Sequence, residues 1–298
     1  MKDQSKHQKI GWVAVGFSIA ITSLWAFWGA GETFHEGWYY DSFIKNIGLT
    51  IIQYLSPMLI FMGVGFISIY WPRVGGAIHV VVAMLAAWFF NIFANTVILF
   101  ILIPLVAIGL LYWYGSSPPR KIVTRWMIGL PILMVLVAGS VPAYRVSQRI
   151  KDRSPDAQLV HGNEITLTWA PSGPGWPREG VNWDEAVRVC NLLNQDGKTL
   201  ASEPQIIWRL PTVDEAVRSM ALHGENCRGV WNNQNAEAVY EKRPDKEFPL
   251  WDIYSQVIYW WTATEVDQEK AYIIVYDGKV WPRAKKLDMG YLGYRCVK

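Results

Sequence analysis

Long stretches without charged side chains constrain this 298-residue chain more than any other feature. No residue from 10 to 31 is charged, and residues 48–123 contain only three charged side chains, all basic. A helix of a water-soluble domain needs a polar face toward solvent, and these stretches do not provide one. The N-terminal half therefore predicts an integral membrane bundle. After Tyr144, charges recur every few residues and predict a water-soluble domain.

The length of the apolar segments predicts how often the chain crosses the bilayer. About 20 apolar residues are needed to span the hydrocarbon core. Five segments reach or approach this length, which predicts a membrane α-helical bundle of about five transmembrane helices. They are residues 10–30, 48–70, 75–93, 96–114 and 122–143. The third and fourth segments are separated at residues 91–95, where two asparagines favour a turn.

The distribution of Lys and Arg predicts the orientation. Cations precede the first helix and lie in the connections that contain Arg73 and Arg120, whereas the alternate connections are poor in cations. Cation-rich short loops face the cytoplasm. Five spans then predict a multi-pass protein of the cell membrane with an extracytoplasmic C-terminal domain. The cations at residues 145–153 oppose this orientation, and a count of four or six helices would reverse it.

The C-terminal half carries signals for both helices and strands. Residues 164–169 alternate in polarity, as a strand does. Asn182 is placed to cap one helix, and Thr212 with Glu215 forms the capping-box pattern of a second. Three further strands are predicted at residues 257–262, 271–276 and 291–297. Helices first and strands later predict an α+β domain.

An ordered set of short motifs runs through this half. They are Trp183, Ala186 and Cys190, Trp208-Arg209-Leu210-Pro211-Thr212, Tyr259-Trp260-Trp261-Thr262-Ala263-Thr264, Asp277-Gly278 and Gly293-Tyr294-Arg295-Cys296-Val297. With these motifs the domain resembles the DUF1566 (Lcl C-terminal) domain and, more distantly, the formylglycine-generating enzyme (sulfatase-modifying factor) superfamily. The resemblance implies a C-type-lectin-like fold and a bacterial source. The predicted boundaries are a membrane domain at 1–144, a linker at 145–163 and this domain at 164–298.

The three cysteines fit no zinc pattern. The resemblance implies a disulfide between Cys190 on the first helix and Cys296 on the last strand, which leaves Cys227 as a partly buried bystander. Because disulfides persist in oxidising compartments, this pairing supports an external domain. Formylglycine-generating enzymes use two nearby cysteines late in the domain. No such pair exists here, so that oxidase activity is not expected.

Tryptophan and tyrosine are dense between residues 231 and 291. Most of them are expected to fill the core, and Trp231 and Trp281, in predicted loops, are the candidate ligand-binding residues, since exposed aromatic faces bind sugars and proteins. Glu203-Pro204-Gln205 and Trp231-Asn232-Asn233 imitate parts of a lectin calcium site, but their spacing is wrong for one. Calcium held elsewhere by Asp and Asn oxygens stays open, and no other cofactor is expected.

Two charged features have structural explanations beside functional ones. Glu32, His35 and Glu36 would share one side of a helical turn and could bind a divalent metal, although a solvated interfacial loop is the commoner arrangement. Arg209, beside a helix start, predicts a buried structural cation paired with a carboxylate. The net charge of +3 is too small to predict nucleic-acid binding.

Together these patterns predict a non-enzymatic, membrane-anchored extracytoplasmic module that binds a glycan or an envelope protein. One alternative is an enzyme or accessory protein of the sulfatase-modifying type. Another is a sensor or transporter subunit whose external domain regulates the helices. Ionisable groups deep inside the spans would favour this last alternative, and Gln53 is the most polar residue that the sequence places there.

Overall fold

The structure is a computed structural model that describes residues 2–89, 99–150 and 155–298. The chain divides into two compact units. Residues 1–38 and 44–144 form the first, and residues 39–43 and 145–298 form the second. Each unit has hydrophobic core clusters of its own.

Apolar helices occupy the first half of the described chain. They are α1 (Lys2–His35), α2 (Phe43–Leu49), α3 (Ser56–Tyr70), α4 (Pro72–Phe89), α5 (Leu99–Tyr114) and α6 (Arg120–Gln148). A π-helical stretch, Thr50–Tyr54, follows α2 directly and is separated from α3 by Leu55 alone.

Three of the described helices are long and apolar enough to cross a membrane, and a bent pair raises the number to four. The three are Ser5–His35, Pro72–Phe89 and Arg120–Gln148, and the pair is Phe43–Tyr54 with Ser56–Tyr70, bent by 58°. These helices confirm the prediction that the first half of the chain contains helices able to span a membrane. Helix α5 has 16 described residues, fewer than a span needs, so the count of five stays a prediction. The predicted turn at residues 91–95 lies outside the described residues.

Small residues bring the membrane helices into close contact. A Cβ atom built on Gly76 would lie 2.6 Å from the carbonyl oxygen of Gly109, so α4 and α5 touch through their backbones. Such contacts at small residues are typical of membrane helix pairs. Thr22 and Thr33 in α1 donate their hydroxyl hydrogens to carbonyls four residues earlier. Their polar groups are therefore satisfied within the helix.

The second unit consists of short strands and two helices. They are β1 (Gln158–Gly162), β2 (Ile165–Trp169), α7 (Trp183–Leu192), α8 (Val213–Ser219), β3 (Ala221–Leu222), β4 (Glu225–Asn226), β5 (Val230–Asn232), β6 (Glu237–Val239), β7 (Tyr259–Glu265), β8 (Lys270–Val275), β9 (Val280–Ala284) and β10 (Leu292–Gly293). The order β10-β7-β8-β9 forms a four-stranded sheet, parallel only between β10 and β7. The unit is a separate, curled β-sheet domain with α+β composition.

Both predicted helix starts in this domain are confirmed. The Asn182 side chain accepts a hydrogen bond from the Glu185 amide at 2.9 Å, and Thr212 with Glu215 forms a reciprocal capping box. These bonds satisfy amide groups that have no partner within the helix. Helices α7 and α8 therefore begin where the local sequence predicted.

The prediction that Arg209 is buried is wrong. Its side chain is 49% exposed and pairs with Glu215 at 2.6 Å on the surface. The neighbouring side chains of Trp208 and Leu210 occupy the buried positions, which leaves the outward position to Arg209. Burial by itself would raise the pKa of Glu215, but the hydrogen bonds from Arg209 and from the Thr212 amide outweigh it and lower that pKa.

The sheet separates two core clusters, because successive strand residues point to opposite faces. Trp260 packs with Trp251 in one cluster, and Trp261 lies in the other beside Cys190. Each of the three tryptophans is at most 2% exposed. Many of the aromatic residues therefore fill the core, as expected.

The two ends of the domain are hydrogen-bonded to each other. Thr168 in β2 and Lys298 exchange two backbone hydrogen bonds of 2.9 Å. Strand β1, which lies in the stretch predicted as a linker, pairs with β2 along its whole length. The strands nearest the membrane helices in sequence are thus fastened to the C-terminus.

Candidate functional site

Three aromatic side chains and one arginine lie together on one face of the four-stranded sheet. We call Tyr259, Trp281, Tyr291 and Arg283 the aromatic patch. The ring centre of Tyr259 is 6.4 Å from that of Trp281 and 5.5 Å from that of Tyr291. Trp281 is 39% exposed and Tyr291 is 41% exposed. The patch therefore presents aromatic surface to solvent.

The register of the sheet explains why these residues meet. Tyr259 in β7 pairs with Val275 in β8, and Trp281 in β9 pairs with Ile273, two residues away from Val275 on the same strand. Side chains two residues apart on a strand share a face. Rings from the two strands that flank β8 are thereby placed on one surface.

Arg283 adds a positive charge to the aromatic patch. Its guanidinium carbon lies 5.8 Å from the ring centre of Trp281 and 6.0 Å from that of Tyr259. Within the described parts of the chain, no carboxylate lies within salt-bridge distance of Arg283. A cation held over ring faces is stabilised by the negative potential of the rings. Its hydrogen-bond donors stay available to a ligand.

A cleft of about 530 Å³ borders Trp281. Strand β6 and the turn between β8 and β9 form its walls, and Arg243 and Asp277 supply polar groups. Burial by itself would raise the pKa of Asp277, but hydrogen bonds from Arg243 and from the Lys279 amide lower it below its usual range. The cleft thus offers a charged, hydrogen-bonding edge next to an exposed indole ring.

Trp231 does not belong to the aromatic patch. It lies in β5, half-buried, with its ring edge-on to Tyr272 at 5.5 Å. Trp281 pairs with Ile273 across the sheet and therefore shares its face. Tyr272 precedes Ile273 in β8, so its side chain points to the opposite face. The prediction that Trp231 and Trp281 lie in loops is wrong: each is part of a strand.

The cysteines occupy two different environments. Cys190 and Cys296 form a disulfide, with Cα atoms 5.6 Å apart. Cys227 is a fully buried free thiol, and burial together with the charge of Glu247 raises its pKa to about 12. A thiol with so high a pKa is protonated at neutral pH and is a poor nucleophile or metal ligand.

The possible metal ligands Glu32, His35 and Glu36 lie together at the end of α1. One ligand atom from each of these residues lies within 4.8 Å of the others. His35 Nδ1 already contacts a Glu32 carboxylate oxygen at 3.0 Å. The geometry permits a divalent cation, and it also permits an ion pair without one.

The membrane unit contains a buried polar cluster that the sequence did not single out. Nδ1 of His79 lies 2.8 Å from the Gly75 carbonyl oxygen, and its ring stacks on Tyr112 at 5.7 Å. The Tyr112 hydroxyl hydrogen-bonds Ser18 at 3.0 Å. Gln53, in contrast, is exposed on the π-helical stretch. This buried polar cluster joins side chains from α1, α4 and α5.

Comparisons with known proteins complete this description. No family model matches the chain. No curated protein and no solved structure matches it either.

Proposed function

We propose that this protein is a membrane-anchored recognition module whose soluble domain binds a glycan of the bacterial cell envelope through the aromatic patch. The exposed indole of Trp281 beside Tyr259 and Arg283 is the observation that supports this proposal. The C–H faces of sugar rings pack on aromatic faces, and their hydroxyl groups need donors and acceptors at the edge. The patch and the adjoining cleft provide both kinds of contact.

An envelope protein is the second candidate ligand. Tryptophan, tyrosine and arginine are the residues that contribute most to protein–protein binding energy. Trp281, Tyr291 and Arg283 form such a group on the surface. A stable protein complex needs a larger contact area than this patch offers. A small patch with a cleft at its side therefore fits a saccharide better than it fits a protein.

We further propose that the domain has a C-type-lectin-like fold of the DUF1566 type and lies outside the cytoplasm. A disulfide from the first helix of the domain to its last residues supports both statements. The hydrogen-bonded ends at Thr168 and Lys298 support the fold. With five membrane helices, the cation-rich connections would face the cytoplasm and the domain would face the envelope.

The location of the domain can be tested by thiol labelling with a membrane-impermeant reagent. Native Cys227 will not react, because it is buried and its pKa is about 12. Gln234→Cys places a thiol in the exposed β5–β6 turn and keeps the hydrogen bond that the amide of residue 234 donates to the Asn232 side-chain oxygen. We expect labelling of this variant in intact cells.

Lys121→Cys is the matched control for the orientation. Lys121 is exposed in the first turn of α6, at the end of the helix that the orientation rule places in the cytoplasm. This variant should be labelled only after the cells are permeabilised. The reverse pattern, with Lys121→Cys labelled in intact cells and Gln234→Cys protected, would contradict an external domain.

Glycan binding can be tested with Trp281→Ala and Trp231→Ala in the purified full-length protein. Loss of the exposed ring should weaken binding to envelope polysaccharides about tenfold, which corresponds to about 1.4 kcal/mol and is typical of one aromatic contact. Trp231→Ala removes the same side chain from the opposite face of the sheet and should leave affinity unchanged. Affinities can be measured on a polysaccharide array and by calorimetry.

Two results would contradict the assignment of the aromatic patch. One is saturable glycan binding that neither variant changes, and the other is an equal loss in both. Thermal unfolding of the two variants separates lost contacts from lost structure. Binding only to an envelope protein, and weaker in Trp281→Ala, would favour the second candidate ligand.

Observations on two sites bear on the remaining alternatives. A sulfatase-modifying type of enzyme would need a reactive thiol pair, and the only free cysteine of the chain is the buried Cys227. A sensor or transporter subunit would draw support from the buried group formed by His79, Tyr112 and Ser18, because ionisable residues inside membrane spans are often functional. The aromatic patch is the more complete of these candidate sites.

A further inference from the structure

A cleft of about 690 Å³ lies at one end of the membrane unit, where four helices begin or end. His7 of α1, Tyr70 at the end of α3, Arg73 at the start of α4, and Trp113 of α5 contribute to its walls. This volume falls in the range of sites that hold small molecules. Neither the aromatic patch nor the buried group formed by His79, Tyr112 and Ser18 lines it.

Aromatic rings form the rim of the cleft. Trp71 is 63% exposed, Trp113 is 50% exposed and Tyr114 is 62% exposed. Tryptophan and tyrosine concentrate at the level of the lipid headgroups, where an amphipathic ring contacts both acyl chains and polar groups. The rim therefore marks the cleft as an opening at the membrane surface.

Arg73 is the arginine that lines this cleft. Its side chain is exposed, and the described residues provide it with no carboxylate, carbonyl or ring contact. Arg120, at the same end of the unit, differs: it donates a hydrogen bond of 3.3 Å to the Tyr70 carbonyl and lies 5.2 Å from the centre of the Tyr70 ring. The free guanidinium is thus a local property of the cleft.

Helices α2 to α6 provide no carboxylate to the cleft. No Asp or Glu occurs between Asp41 and Asp152, a stretch that contains α2 to α6. Arg73, Lys121 and Arg125 lie within it. Asp3, in the first turn of α1, is the one acidic residue that the sequence places at this end, so basic residues outnumber it and the excess positive charge favours an anion from outside the chain.

The walls of the cleft are held in place by close backbone contacts. His7 Nδ1 lies 2.6 Å from the Tyr114 carbonyl oxygen, and the Ser116 amide donates to the His7 carbonyl at 3.0 Å. A Cβ atom on Gly11 would lie 1.9 Å from the Ser116 carbonyl oxygen, so only glycine fits there. A preformed cleft loses little conformational entropy when a ligand enters it.

We propose that this cleft binds the headgroup of an anionic phospholipid. The guanidinium of Arg73 contacts the phosphate, and the rings of Trp71 and Trp113 pack against the glycerol and the first carbons of the acyl chains. A free inorganic phosphate would gain nothing from the aromatic rim, whereas a lipid uses both parts. Basic pockets between membrane helices bind anionic headgroups by the same combination.

Native mass spectrometry of the full-length protein in detergent, with equal amounts of phosphatidylglycerol and phosphatidylcholine, tests this proposal. The wild-type protein should retain phosphatidylglycerol about fivefold more than phosphatidylcholine, the preference that one basic residue provides near a membrane surface. Arg73→Gln should abolish the preference. Trp113→Ala, which keeps the charge, should reduce retention of both lipids.

Arg125→Gln is the matched control, since it removes one positive charge from the same end of the unit but does not line the cleft. It should leave the preference unchanged. The proposal is overturned if Arg125→Gln and Arg73→Gln have equal effects, because the preference would then reflect net charge alone. It is also overturned if the wild-type protein shows no preference, or if millimolar inorganic phosphate displaces the lipid.

Discussion

Removal of the Cys190–Cys296 bridge is expected to lower the free energy of unfolding of the soluble domain by roughly 4 to 5 kcal/mol. The two cysteines are 106 residues apart in sequence. In the chain-entropy model, a bridge that closes so long a loop removes much of the freedom of the unfolded chain. A loss of this size is a large part of the stability of a typical domain.

The measurement is thermal unfolding of the full-length protein in detergent, followed by near-ultraviolet circular dichroism of the tryptophan-rich core. Cys190→Ser combined with Cys296→Ser should lower the midpoint on the order of 10–20 °C. A reductant should shift the wild-type protein to the same extent and leave the double variant unchanged. If the double variant unfolds at the wild-type midpoint, the bridge does not stabilise the domain.

The helices of the soluble domain could be predicted because their signals are local. Asn182 and the Thr212 and Glu215 pair act on amides three residues away, so sequence spacing alone defines the bonds. Strands β3 to β6 have only two or three residues each and were not predicted. A pattern with a period of two residues needs a longer run to be recognised.

Strand β9 was missed for a different reason. Pro282 lies in its middle and donates no hydrogen bond, so the sequence argued against a strand. The structure places β9 at the edge of the sheet, next to β8 only. An edge strand tolerates proline, because one side of it needs no ladder bonds. Asp277-Gly278 just before β9 was the signal for a hairpin that could have revealed it.

The membership of the aromatic patch depends on register, which the sequence does not contain. Trp231 and Trp281 look equivalent in the sequence, yet Trp281 lies on one face of the four-stranded sheet, whereas Trp231 lies in the separate β5–β6 pair and contacts Tyr272 on the other face. No sequence pattern distinguishes Arg283. In the structure it lies two residues beyond Trp281 in β9 and therefore on the same face. The chemistry of the site could be predicted from residue types. Which residues belong to the aromatic patch could be decided only from the strand pairing.

Apolarity predicts the membrane segments well but does not predict their bends. The segment at residues 48–70 was expected to be one continuous helix. The structure divides it at Leu55, where a π-helical stretch ends and α3 begins at a 58° angle. Ser56 and Pro57 start the new helix, and proline in the first turn lacks only an amide that would be unpaired there.

Arg295 is a buried cation of the soluble domain and is completely inaccessible to solvent. Its Nε donates to the Ala170 carbonyl at 2.7 Å, and its Nη1 donates to the Pro249 carbonyl. The guanidinium carbon lies 3.7 Å from the ring centre of Trp176. One side chain therefore joins the residues after β2, the segment before β7 and the C-terminal segment that follows β10.

Arg295→Met is expected to destabilise the domain by about 3 to 5 kcal/mol. Methionine has a similar length, so the change leaves no large cavity. It leaves the buried carbonyls of Ala170 and Pro249 without donors, which costs about 1–3 kcal/mol each, and it removes the cation from the face of Trp176. Denaturant unfolding of the full-length protein in detergent measures the loss.

Arg188→Met is the control for charge removal. Arg188 is exposed and pairs with Glu185 one turn earlier in α7, an arrangement that contributes little to stability. We expect no measurable change in that variant. Equal unfolding midpoints for Arg295→Met and the wild-type protein would show that the two carbonyls find other donors, and that the stacked guanidinium does not hold the three segments together.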